Sequence, residues 1–115
     1  MEQFTTYLNE TIANLQIEEQ KLIASDRKDE ANFTRIKINI CDICRTIYHV
    51  SAKSYSGVAL KEEYLRQLTR LPENWKISLE KAKEHEDVQK IVVEETKLEM
   101  LQLIRTKFEV EMHGL

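Results

Sequence analysis

Cys41 and Cys44, three residues apart, are the side chains in this chain best suited by type and spacing to chemistry. A Cys-x-x-Cys pair holds zinc or cycles between dithiol and disulfide. Their surroundings read as mid-helix, with a full turn on each side, whereas a redox pair sits at a helix N-terminus where the dipole lowers the thiol pKa. On a helical wheel Cys44 lies about 40° from Ile40 and so faces inward, with Cys41 at the edge about 60° further round. Zinc needs two more ligands, and His49 falls on the side of the same helix opposite Ile36, Ile40, Ile43 and Ile47. His85 and His113 are remote in sequence. The pair is therefore expected to pack, with no metal and no cofactor.

Carboxylates offer the next chemistry. A di-iron or di-manganese bundle needs Glu-x-x-His pairs on facing helices, but Thr46, Ala82 and Val110 stand three residues before the three histidines. Asp26-x-x-Asp29 and Glu84-x-x-Asp87 have the spacing of magnesium-holding pairs, both in predicted solvated corners. An alternative function as a metal-dependent hydrolase rests on Glu84, His85, Glu86 and Asp87. It requires them to converge with Glu19, Glu62 or Glu63 in a pocket. Ser51, Ser54 and Ser56 lie near His49 without a Gly-x-Ser-x-Gly turn. Tyr48, Tyr55 and Tyr64 are expected to close one end of the fold.

Those residues must be positioned by helices. Phe33, Ile36, Ile40, Ile43, Ile47 and Val50 recur at steps of three and four, a stripe that no strand reproduces. They predict a helix over roughly 27–53 with that stripe inward. Phe4, Leu8, Ile12, Leu15 and Leu22 predict a first helix from about Glu2 to Ile23, with Glu19 intruding in its stripe. Ser25 and Asp26 are N-cap types for the second helix. Ser56 can cap a short third helix carrying Leu60, Tyr64, Leu68 and Leu71, and Pro72 starts a fourth containing Trp75, Leu79 and Ala82. A new N-cap is expected at Asp87. The last helix would then run to about His113, with Val93, Leu98, Leu101, Ile104, Phe108 and Met112 inward and Gly114 as C-cap. Glu94 and Arg105 join Glu19 as polar residues expected in the core, where they would fix register or pair.

The fold class expected is all-α, an antiparallel bundle of four to five helices, two of them long, spanning 1–115 as a single helical domain. Two glycines and one proline, with 42% apolar residues, fit long uninterrupted helices. No internal repeat or low-complexity tract is evident.

Net charge is −3 but uneven. Residues 31–61 hold five basic groups against one acidic, and residues 84–115 hold four against eight. The basic helix is expected to neighbour acidic helices in its own bundle or in a partner subunit. A nucleic-acid surface through Arg35, Arg45 and Lys53 is a second alternative, disfavoured by Asp42 on the same face and by the lack of interleaved aromatics. The first residues lack the basic patch and apolar run of a secretory signal, and no stretch reaches the roughly 18 apolar residues of a membrane span. Reduced thiols and a cytoplasmic location are the simplest expectation.

Rods of about 27 residues would be roughly 40 Å long, too long for the remaining helices to cover. Val92, Leu103 and Val110 build a second apolar stripe on the back of the last helix. They are the candidate interface. The expected function is a non-catalytic, self-associating protein–protein interaction or regulatory module, a homodimer or higher oligomer.

Overall fold

The computed structural model describes residues 2–114, which form α1 (Glu2–Ala24), α2 (Lys28–Ser54), α3 (Gly57–Arg70), α4 (Glu73–Glu84) and α5 (Val88–Glu111). The chain is 88% helical, without a strand among the described residues. Helices α3 and α4 are one rod interrupted at Leu71 and Pro72, so five pieces make four rods. Leu71 keeps helical geometry and donates to the Gln67 carbonyl, but Pro72 has no N–H to donate and its ψ of 1° leaves the helix, which accounts for the break.

The rods pack as two hairpins, α1 on α2 and α3/α4 on α5, with α2 and α5 in contact between them. Both tips use the same left-handed turn. Asp26 and Glu86 have φ of 59° and 52°. Arg27 and Asp87 donate back across it to the carbonyls of Leu22 and Ala82, each at 2.9 Å. This corrects the expected start of α2: Arg27, without a side-chain capping bond, holds the N-cap position, and Ser25 and Asp26 belong to the turn. Asp87 does cap α5, accepting from the Lys90 N–H at 3.2 Å. Ser56 occupies the cap position of α3 without a side-chain bond, and the C-cap of α5 is Met112 rather than Gly114.

The matching tips are part of a larger correspondence, and the expectation of no internal repeat is overturned. Residue i and residue i+60 occupy equivalent places. Buried Phe4, Leu8, Cys41, Cys44 and Tyr48 correspond to buried Tyr64, Leu68, Leu101, Ile104 and Phe108. Arg45 Nη1 donates to Asn9 Oδ1, and Arg105 Nη1 donates to Thr69 Oγ1, both at 2.9 Å. The ring contacts are reciprocal too. Phe4–Phe108 and Tyr64–Tyr48 have centroids 5.0 and 5.2 Å apart, and Phe4–Tyr48 and Tyr64–Phe108 are 5.3 and 4.7 Å apart, all edge to face. Reciprocity of this kind is what an isologous twofold contact produces. The chain is thus two copies of a helical hairpin joined head to tail about an approximate twofold axis, with the four rings at its centre. Edge-to-face pairs add about 0.5–1.5 kcal/mol each beyond the area they bury.

The twofold core also sets which side of α2 faces inward. Its buried line is Ala31, Thr34, Ile38, Cys41, Cys44, Tyr48 and Ser51, rotated by roughly 130° from the isoleucine stripe on the wheel. Of that stripe only Ile40 is buried. Phe33, Ile36 and Ile47 are half-buried, and Ile43 and Val50 are exposed. Helix α2 is apolar on both sides, and the side carrying smaller, less greasy residues is the one that approaches α1 and α5 closely.

Candidate functional site

Helix packing places the chemistry-bearing residues first. Cys41 and Cys44 are both fully buried, Cys41 more deeply than an edge position implies. Burial pushes the Cys41 thiol up to about 11, partly opposed by Arg45, and the Cys44 thiol up to about 12, helped by Cys41. Both are free thiols. The Tyr64 hydroxyl donates to the Cys44 carbonyl at 2.8 Å and is itself held protonated by burial. At neutral pH both sulfurs are held as buried thiols, the unreactive form for attack on an electrophile.

Glu84, His85, Glu86 and Asp87 sit exposed in the α4–α5 turn, where the Asp87 carboxylate is occupied by its capping bond. Glu19 lies on the other hairpin, in the grip of Arg35 at 2.6 and 2.8 Å. Glu63 is engaged with Arg66 and Gln67. These carboxylates do not converge. Among the described residues no group of three or more His, Cys, Asp or Glu could hold a metal ion.

Of the polar residues expected in the core, Glu19 and Glu94 are buried and Arg105 is not. Arg105 lies at the rim of α5 and binds Glu109 and Thr69. Glu94 packs with one oxygen 3.3 Å from Lys97 Nζ and the other, Oε2, buried without a partner. The basic residues of α2 are partly spoken for. Arg35 holds Glu19, and Arg45 holds Asn9 and Asp42.

The remaining feature is the outer surface. Leu103 and Val110 are 61% and 63% exposed, and with Val92 they form an outward stripe on α5. Glu99, Gln102, Thr106 and Lys107 border the shallow apolar recess around Leu103 and Val110. Helix α3 does not cover it. At the equivalent positions of α2, Ile43, Thr46 and Val50 are exposed as well, Val50 at 59%. Ile17 on α1 and Ile77 on α4 are a further equivalent pair, 56% and 55% exposed.

Residues Ile43 and Val50 were assigned inward by periodicity, so half of this surface was missed. The signal that could have found it is the run Cys44-Arg45-Thr46 with Tyr48 and Val50, set against Ile104-Arg105-Thr106 with Phe108 and Val110. No helix among the described residues is long and apolar enough to cross a membrane. Comparison with protein-family models, with curated proteins and with solved structures gives no match.

Proposed function

We propose that this protein is a non-catalytic interaction module that associates with itself through the outer face of α5. The carrying observation is the exposed stripe of Val92, Leu103 and Val110 on the back of a helix whose inner face is already filled by Leu101, Ile104 and Phe108. A helix apolar on two sides has its second side covered by another layer or another molecule, and among the described residues no layer covers this one, since Leu103 and Val110 stay 61% and 63% exposed. The acidic corner at Glu84–Asp87 supports the hydrolase alternative poorly, because its groups are exposed and dispersed. Arg35 and Arg45 likewise support nucleic-acid binding poorly, being held by Glu19 and by Asn9 and Asp42.

Sedimentation equilibrium across a concentration series up to several hundred micromolar tests this reading. The expected result is a mass above that of one chain that falls on dilution. A single-chain mass throughout refutes it.

A further inference from the structure

Self-association through α5 leaves open which surface of the second copy it meets, and the internal repeat answers that. We infer that copies dock head to tail, the outer face of α2 in one copy seated on the outer face of α5 in the next. This rests on the self-association proposed above and adds the identity of the opposing face.

Two observations carry it. The first is what the two hairpins share. They differ at most exposed positions, yet both present a branched apolar residue at Ile43 and Leu103, threonine at Thr46 and Thr106, and valine at Val50 and Val110, all on the outside. Nothing in the fold of one chain requires these outward groups, and the same surface appearing twice gives each copy two docking faces.

The second observation is charge. Around those shared apolar residues, α5 carries Glu95, Glu99 and Glu109 where α2 carries Arg35, Asn39 and His49. Glu95 and Glu99 form no ion pair among the described residues, whereas Arg35 and Glu109 are already bonded to Glu19 and Arg105. The unpaired charge bordering the α5 face is therefore negative. Helix α2 adds Lys53 near its own apolar residues and lies in the basic segment of the chain. An α5 face meeting another α5 face brings together two surfaces whose unpaired border charge is negative; an α2 face meeting α5 does not. Like-charge juxtaposition selects against the wrong pairing, and opposite charge favours the right one.

A contact between two different faces is heterologous and adds copies in sequence, closing only if the rotation between neighbours completes a ring. One helix face on another is a small interface, so the association is weak and concentration-dependent.

The test is complementation between single-face variants. Ile43→Glu disables the α2 face and Leu103→Glu the α5 face, and circular dichroism checks that each stays helical. Val50→Glu and Val110→Glu, at more exposed positions, replace either variant that fails to fold. Each variant alone is expected to sediment as a single chain, and an equimolar mixture as a pair, because each supplies the face the other lacks. If Ile43→Glu alone still forms dimers, α5 pairs with α5 and the inference is overturned while the self-association stands. If the unaltered protein is a single chain throughout, both fall.

Discussion

Arg35 grips Glu19 across the α1–α2 hairpin with two hydrogen bonds, Nε to Oε2 at 2.8 Å and Nη2 to Oε1 at 2.6 Å. The equivalent positions of the second hairpin hold Leu79 and Glu95, with no such pair. The fold therefore tolerates an apolar residue at this site, and the guanidinium, half-exposed, is hydrated when its partner is removed. Glu19→Leu is expected to change the unfolding free energy by less than about 1 kcal/mol, since a lost partly exposed pair is offset by apolar burial. Urea denaturation measures it, and a loss above about 3 kcal/mol contradicts it.

Glu94 is the opposite case. Its Oε2 is buried without a hydrogen bond, and a group left in that state costs about 1–3 kcal/mol. Glu94→Leu is expected to raise stability by about 1 kcal/mol, seen as a higher urea midpoint with an unchanged slope.

The turns give a backbone prediction. Asp26 and Glu86 hold left-handed φ values that cost any side-chain-bearing residue. Asp26→Gly and Glu86→Gly are each expected to stabilise by about 0.5–1 kcal/mol, and the effects should add because the sites lie on separate hairpins. Asp87→Ala removes the α5 cap and is expected to cost about 1 kcal/mol, whereas Ser25→Ala, outside any cap, should be neutral. Thermal unfolding followed by circular dichroism distinguishes these outcomes.

Alkaline pH should act through the cysteines. Burial raises both thiols above the ordinary value of 9.0, Cys41 to about 11 and Cys44 to about 12. The unfolded chain thus loses these protons first. Stability from the buried neutral thiols is complete below about pH 9 and is lost as pH rises through 11 to 12. The double variant Cys41→Ala/Cys44→Leu is expected to flatten the first part of that decline, with the buried tyrosines Tyr64 and Tyr48 responsible for what remains. In the unaltered protein, native thiols should resist a disulfide reagent at pH 7.5 and react on adding denaturant.

Helix positions were legible because the breakers are few and well placed. Pro72 splits the third rod, and Asp87 caps the last one where the sequence says it should. The inward side of α2 was not. A hydrophobic pattern identifies the core side only when one side is apolar, and α2 has isoleucines on one side and Ala31, Thr34, Cys41, Cys44 and Ser51 on the other. Small residues win the interior because they let rods approach, a property that hydropathy does not score. The repeat stayed hidden for a related reason. Equivalent core positions hold Phe4 and Tyr64, Cys41 and Leu101, or Cys44 and Ile104, alike in being buried but different in identity. Leu103, Val110 and Val92 were placed on the outside by spacing alone, since the opposite side of α5 was unmistakably filled.

The ring cluster at the axis has a bearing on biosynthesis. Phe4 and Tyr48 come from the first hairpin, Tyr64 and Phe108 from the second, and every one of the four touches both rings of the other half. A nascent chain that has emerged only as far as α2 can pack Phe4 on Tyr48 but lacks the two rings that cover them from the other half. Completion waits for Phe108, sixty residues after Tyr48, so the core closes only once α5 has been made.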